Sequence, residues 1–231
     1  MKQDGLISAA DSASAKELAL NIAEQRVSFY TKYGKRLSDL ALAILLMPFL
    51  LPVIAILALL VSIDGGAPFF GHVRVGRNGK HFKCWKLRTM HMNADYRLQV
   101  LLDRDRDMAN YWRIHQKLQN DPRVTSFGKL LRKTRLDELP QIYNVLINEL
   151  SFVGPRPFTP SQESDYLASG GRHYYTINPG ITGSWQAYQP INSQFEDRIE
   201  FDEGYAKTVS LKTDLKIILS TAALFFRFNG K

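Results

Sequence analysis

The sequence predicts an α+β fold that is mainly helical: a proline-broken apolar membrane helix, then a small domain of amphipathic helices with one short β-hairpin. Three observations carry this reading. The stretch from Leu40 to Ile63 holds no charged residue, apolar residues recur at helical spacing in several later segments, and an Asn78-Gly79 pair separates two short apolar runs. The rest of the composition fits a chain with a folded polar part. Of 231 residues, 45% are hydrophobic, which is ordinary for a globular protein, so the chain is not wholly embedded in lipid. Lys and Arg number 30 against 22 Asp and Glu, and the net charge of +8 favours anionic partners. Nucleic acid, acidic lipid headgroups and phosphorylated substrates all satisfy that condition. The single Cys84 cannot form an intramolecular disulfide and fits a reducing compartment.

Three segments follow in order. Residues 1–34 form an N-terminal extension. It carries Asp4, Asp11, Glu17 and Glu24 and has no early apolar run, so it does not read as a cleaved export signal. Asp11 to Tyr33 suits a soluble or surface-lying helix capped at Ser12 or Ser14, with Leu18, Ile22 and Val27 as its stripe. Residues 35–66 hold the membrane helix. At about 1.5 Å per residue, Leu40 to Ile63 is long enough to cross a hydrocarbon core of about 30 Å. Pro48 and Pro52 each remove a backbone donor and crowd the preceding turn. Both flanks are basic: Lys32, Lys35 and Arg36 precede the run, and Arg74, Arg77, Lys80, Lys83, Lys86 and Arg88 follow it. A helix broken at Met47-Pro48 that enters and leaves by one leaflet satisfies both facts. A tilted span kinked by proline satisfies the prolines alone, and the residues leave the two topologies open.

Residues 67–231 make a cytoplasmic domain. Ala67 to Arg88 reads as a hairpin turning at Asn78-Gly79. Tyr96 to Leu118 is one or two helices with a solvated face, ended by Asp121-Pro122. Phe127 to Arg135 is basic and amphipathic, suited to a lipid interface or to the surface of a basic protein. Leu136, Leu139, Ile142, Tyr143, Leu146, Ile147 and Leu150 follow helical spacing. Thr134 or Asp137 is the expected N-cap, and Pro140 requires the helix to start close to Asp137. Pro179 to Pro190 reads as loop, and Asp214 to Phe228 as a C-terminal helix with an apolar end that covers the core or rests on the membrane.

The chemistry centres on Asp137 and Glu138. Adjacent helical residues point about 100° apart, so one carboxylate can serve as nucleophile or base while the other holds a metal. Arg132, Lys133 and Arg135 nearby should keep both ionised, and a helix N-terminus there would favour a phosphate. An isolated Asp-Glu pair more simply caps a helix. Arg156, fixed between Pro155 and Pro157, suits bidentate phosphate binding, and Lys86 and Arg88 add cations. Alone, the arginine is an exposed turn residue and the other two are membrane-surface charge. Together the residue types suit phosphoryl transfer, where positioning and charge neutralisation dominate.

The ordered series Lys35-Arg36-Leu37-Ser38-Asp39, Lys86-Leu87-Arg88-Thr89-Met90, Asp121-Pro122-Arg123-Val124-Thr125, Leu136-Asp137-Glu138-Leu139-Pro140-Gln141, Asn144-Val145-Leu146, Ser151-Phe152-Val153-Gly154-Pro155-Arg156-Pro157 and Pro179-Gly180-Ile181-Thr182-Gly183 resembles the bacterial sugar transferase family. These are small monotopic polyprenyl-phosphate phosphoglycosyl transferases that initiate exopolysaccharide or other surface glycan synthesis. The resemblance covers most of the chain from Lys35 onward. It implies that Asp137 attacks the β-phosphorus of a UDP-sugar, expels UMP and holds a phosphosugar that undecaprenyl phosphate then takes. It implies that Glu138 binds or positions Mg²⁺, that Arg156 binds phosphate, that Lys86 and Asp202 are functional, and that the helix re-enters at Met47-Pro48. Arg88 and Arg132 are further candidate phosphate-binding cations. The implied setting is the cytoplasmic face of the bacterial inner (plasma) membrane, in contact with membrane lipid. UDP-galactose and UDP-glucose are the favoured donors, and oligomeric state stays open, a homodimer included.

Three departures stand out. Arg135 replaces a common Ser, Ser184-Trp185-Gln186-Ala187-Tyr188-Gln189-Pro190 replaces a small-Gly-Arg ending, and residues before Lys35 exceed the shortest members. A non-catalytic membrane scaffold for glycan-assembly enzymes is the competing reading, but it has no physical need for the dyad or Arg156. A nucleic-acid binder suits the charge but not the apolar run.

Overall fold

The computed structural model describes residues 29–115, 118, 121–188 and 195–228. The expected helix beginning at Asp11 lies outside these residues until Phe29. After a π-helical turn at Tyr30–Gly34 come α1 (Lys35–Val61), a 3-10 turn (Ser62–Asp64), β1 (Phe69–Val75), β2 (His81–Leu87), α2 (Ala94–Arg104), α3 (Arg106–His115) and α4 (Ser126–Thr134). A 3-10 turn at Leu136–Glu138 leads to α5 (Gln141–Leu146), β3 (Ser151–Val153), α6 (Glu163–Ala168), β4 (Gly180–Thr182), α7 (Ser184–Tyr188), α8 (Arg198–Thr208) and α9 (Leu211–Phe228). The described residues are thus mostly helical, as expected. The chain divides into two compact units. One is drawn from Met1–Pro48, His72–Cys84 and Gln141–Lys231, the other from Phe49–Gly71 and Trp85–Pro140. The division within α1 falls at Pro48, although α1 is continuous helix from Lys35 to Val61.

By length and composition, Tyr30–Asp64 is the one helical stretch among the described residues able to cross a membrane, and only 17% of its most apolar window is buried. A core helix of a soluble protein would be mostly covered. Here Leu45, Phe49 and Leu59 are 66%, 71% and 72% exposed. Such side chains need an apolar environment that the described residues do not supply.

In the first unit, the hairpin turns through Arg77–Gly79, with Asn78 at φ 59° and Gly79 at φ 69°. The Asn-Gly pair supplies the left-handed geometry such a turn needs. β3 and β4 pair in parallel, Ser151 opposite Gly180 and Val153 opposite Thr182. A methyl group on Gly180 would collide with the Gly154 backbone, so glycine permits the approach. The expected loop from Pro179 is therefore β4 followed by α7. Pairing with β3 satisfies its backbone, which sequence periodicity over three residues does not reveal.

The start of α1 is tied into this unit. Lys35 Nζ donates to Asp214 Oδ2 at 2.8 Å, Tyr205 hydroxyl to Asp214 Oδ1 at 2.7 Å, and Tyr30 hydroxyl to Asp214 Oδ2 at 2.9 Å. Arg36 donates to the carbonyls of Val145 and Leu146 at 2.6 and 2.8 Å, capping the end of α5. Asp39 Oδ1 accepts from Phe152 N at 3.0 Å. The Lys35-Arg36-Leu37-Ser38-Asp39 run is thus an anchoring sequence. Two apolar clusters complete the unit, one around Val75, Phe158, Tyr166 and Tyr174, the other around Val153, Ile177, Tyr205 and Ile217.

In the second unit, Val61, Leu87 and Leu131 form a buried cluster with Leu57, Phe127 and Leu136 against it. Thr125 caps α4 by accepting from Gly128 N at 2.8 Å. Asp121 and Arg123 form a buried bidentate pair, and the Arg123 guanidinium lies 5.0 Å from the Trp112 ring centre. Met90 and Val124 form a single antiparallel bridge. These contacts bind the Lys86-Leu87-Arg88-Thr89-Met90 and Asp121-Pro122-Arg123-Val124-Thr125 segments to each other.

Candidate active site

Leu136–Glu138 is a 3-10 turn, and the α-helix after it starts at Gln141, past Pro140. The sequence placed that start close to Asp137. Pro140 holds it back, because the proline has no N–H to donate, so the helical hydrogen-bond ladder cannot run through it even though Leu139 keeps helical geometry (φ −53°, ψ −37°). Neither expected N-cap serves as one. Thr134 Oγ1 donates back to the Leu130 and Leu131 carbonyls, and Asp137 lies inside the 3-10 turn. The anion-binding helix terminus expected at the dyad is therefore absent from that spot. α4 instead ends at Arg135, which takes the left-handed conformation (φ 56°) usually given to glycine. That reversal launches the dyad turn, so a strained residue adjoins the two carboxylates.

Asp137 is 8% exposed. Glu138 Oε1 accepts from Lys86 Nζ at 2.6 Å, with the side chains 18% and 25% exposed respectively. Burial pushes the Asp137 carboxyl above the ordinary aspartate value, the Lys86 and Arg132 cations oppose that shift, and the Glu138 charge adds to it. The sequence anticipated that neighbouring cations would dominate. Desolvation outweighs them, because Asp137 has almost no access to water. The second unit thus brings Asp137, Glu138, Lys86 and Arg132 together. Arg132 donates from Nε to Thr89 Oγ1 at 2.8 Å.

Arg88 does not fit the phosphate-binding role expected of it. Its Nη1 and Nη2 bond Asp64 at 2.7 and 2.5 Å, Nη2 also meets the Val61 carbonyl at 2.8 Å, and Nε meets the Ala67 carbonyl at 2.8 Å. Its fork is occupied by the end of α1 and the turn that follows.

The other two expected residues lie in the first unit. Arg156 is exposed, on a turn held from both sides: Gly180 N donates to the Pro155 carbonyl at 2.8 Å, and Arg198 Nη2 donates to the Arg156 carbonyl. Asp202 is 2% exposed and accepts from Arg198 Nε at 3.0 Å and from Tyr166 hydroxyl at 3.1 Å. Burial raises its carboxyl, and Arg198 offsets part of that. Asp202 therefore acts on Arg156 through Arg198, which also faces the Phe158, Tyr166 and Phe195 rings at 5.3 to 5.5 Å. Sequence reasoning missed Arg198, although its spacing four residues before Asp202 on a helix was the available signal.

Among the described residues, no three His, Cys, Asp or Glu side chains cluster closely enough to cage a metal. Mg²⁺ rarely needs such a cage. It binds through one or two carboxylates plus substrate phosphate oxygens, and an ionised Glu138 beside Asp137 fits that donor set.

The model of the bacterial sugar transferase family matches residues 30–228. The UDP-galactose-lipid carrier transferase of Erwinia amylovora is 39% identical over 94% of this chain and 45% of its own length. The exopolysaccharide production protein ExoY of Sinorhizobium fredii is 42% identical over 81% of this chain and 83% of its own. The UDP-glucose:undecaprenyl-phosphate glucose-1-phosphate transferase of Escherichia coli K12 is 36% identical over 81% and 39%. This chain spans about half the length of several of the curated relatives it matches. A match across nearly all the described residues, with the dyad turn intact, makes the chain a member of the bacterial sugar transferase family.

Proposed function

We propose that this chain transfers a sugar-1-phosphate from a UDP-sugar to undecaprenyl phosphate, with Asp137 as covalent nucleophile. The observation that carries the reading is a buried carboxylate of raised proton affinity beside a Lys86–Glu138 ion pair, in a family whose named members act on lipid carriers. In the first step an Asp137 oxygen bonds to the β-phosphorus as the bond to the UMP oxygen breaks, and UMP leaves with that electron pair. In the second, an oxygen of undecaprenyl phosphate bonds to the same phosphorus and Asp137 is released as a carboxylate. Splitting the transfer lets two anionic substrates use one site in turn. A carboxylate held away from water attacks without first shedding a hydration shell.

Lys86 fixes Glu138 and places positive charge beside Asp137, while Arg132 binds phosphate oxygens; within the first unit, Arg156 is a separate phosphate-binding candidate. Glu138 would hold Mg²⁺, whose chemistry is to neutralise diphosphate charge. The departure from Gly183 onward bears on nucleotide or sugar contacts, and UDP-galactose and UDP-glucose, named for relatives, are the donors to try first. The exposed apolar surface of α1 supports an apolar surrounding, and the basic charge on both of its flanks supports entry and exit by one leaflet. Because α1 is continuous helix through Met47-Pro48, it would bend there and is not broken as the sequence suggested. This would set the dyad at headgroup depth on the cytoplasmic face of the inner membrane. The scaffold reading leaves the buried dyad without a purpose.

Asp137→Asn should abolish UMP release from UDP-galactose and UDP-glucose while raising the melting temperature. The protein would no longer bury an ionised carboxylate, and about 1 kcal/mol corresponds to roughly 2–4 °C in a chain of this size. Full turnover by this variant would rule out Asp137 as nucleophile. The sign of the pH dependence is fixed by the upward shift. Stability contributed by protonated Asp137 is present below the ordinary value of 3.8 and lost as pH rises through the elevated folded value. Melting curves of wild type and Asp137→Asn should therefore converge in acid and separate towards neutrality; a gap that widens in acid contradicts this. On the same grounds, the acid limb of UMP release should lie above the pH at which an exposed carboxylate titrates. For topology, single cysteines at Ser38 and Gly65 in a Cys84→Ser background should both react with an impermeant maleimide from the cytoplasmic side. Labelling from opposite sides would establish a span instead.

A further inference from the structure

Thr89 grips the helix that carries Arg132 at two places. Its carbonyl oxygen accepts from Thr125 N at 3.0 Å, and Thr125 Oγ1 lies 3.5 Å from the same oxygen. The approach is close enough that a methyl group on Gly128 would strike the Thr89 carbonyl. Further along α4, Thr89 Oγ1 accepts from Arg132 Nε at 2.8 Å. Residues 125, 128 and 132 follow i+3 and i+4 spacing, so one side of α4 faces Thr89. Thr89 is 7% exposed, whereas Arg132 is exposed. Its neighbour Arg88 is fastened to Asp64 and to the Val61 carbonyl, so the backbone that presents Thr89 is itself held.

An exposed arginine ordinarily samples many rotamers. A hydrogen bond from Nε to a buried, immobile acceptor fixes the guanidinium plane while using one of its five donors, and the terminal nitrogens carry the fork that matches two phosphate oxygens. We propose that Thr89 is a positioning residue for the transfer reaction, its hydroxyl oxygen holding Arg132 in the orientation that meets the substrate diphosphate. This rests on reading Arg132 as a phosphate-binding residue. It also gives each residue of the Lys86-Leu87-Arg88-Thr89 run a separate role. Lys86 holds Glu138, Leu87 packs in the core, Arg88 clamps the end of α1, and Thr89 aims Arg132.

The test compares wild type, Thr89→Val, Thr89→Ser, Arg132→Ala and the Thr89→Val/Arg132→Ala double variant. The full chain is assayed in lipid for UMP release with undecaprenyl phosphate and each UDP-sugar. Valine keeps the shape and removes the acceptor, so the KM for UDP-sugar should rise about tenfold, the scale of one hydrogen bond to a charged group. Serine restores the oxygen and should stay within about twofold of wild type. In the Arg132→Ala background, Thr89→Val should cost nothing further. A full Thr89→Val penalty in that background, or a valine variant equal to wild type, overturns the proposal. Hydrogen exchange of the Arg132 Nε–H, followed by NMR, reads the same contact without turnover. It should accelerate in Thr89→Val and not in Thr89→Ser, and unchanged exchange also overturns the proposal. Wild-type protein that releases no UMP from any UDP-sugar would instead sink the functional reading, with the exchange result still deciding the Thr89 contact.

Discussion

Withholding water from a carboxylate set among cations is the constraint on which the second unit turns. Burying an ion costs on the order of several kcal/mol even after relaxation, unless nearby charge offsets it. Asp137 is 8% exposed, and its offset comes through space from Lys86 and Arg132. Each of those cations is separately restrained, Lys86 by Glu138 at 2.6 Å and Arg132 by Thr89 at 2.8 Å. The offset is incomplete, since burial still wins at Asp137. The residue is thereby left with a raised proton affinity, a cost to the fold that the proposed nucleophilic role would explain.

The same pattern shows in what the motifs do locally. Arg88 and Arg36 both turn their guanidinium groups to main-chain carbonyls, one at the end of α1 and one at the end of α5. Asp214 collects three donors, from Lys35, Tyr30 and Tyr205. Asp202 reaches Arg156 through Arg198 and a backbone carbonyl. These buried charges are therefore paired, and the partner usually positions something else. That division separates the residues proposed to meet substrate in the second unit (Asp137, Arg132) from residues that keep them in place.

Much of this is legible in the sequence, and the remainder is hidden for physical reasons. The hairpin is readable because Asn78-Gly79 has few other uses, and the long apolar helix because no charge interrupts Leu40 to Ile63. The 3-10 turn at the dyad looks like the start of an α-helix, because apolar spacing continues through it from Leu136 to Leu139 while only Pro140 signals the break. β4 escapes notice because a three-residue strand is defined by its partner, not by its own pattern. At the site, charge type gives the cast but not the assignments. Arg88 and Arg132 look alike in sequence, and only their partners tell a clamp on the end of α1 from an exposed cation held at Nε. The direction of the Asp137 shift depends on burial, which no count of neighbouring lysines and arginines supplies.

The central claim is a transient bond between an Asp137 oxygen and phosphorus. The most direct measurement is intact-protein and peptide mass spectrometry after adding UDP-galactose or UDP-glucose without undecaprenyl phosphate. This account predicts a mass increase of one hexose phosphate that maps to the peptide holding Asp137, is absent from Asp137→Asn, and disappears when the lipid phosphate is supplied. Lipid-linked sugar product formed with no adduct at any quench time, or an adduct that maps to another residue, would contradict it.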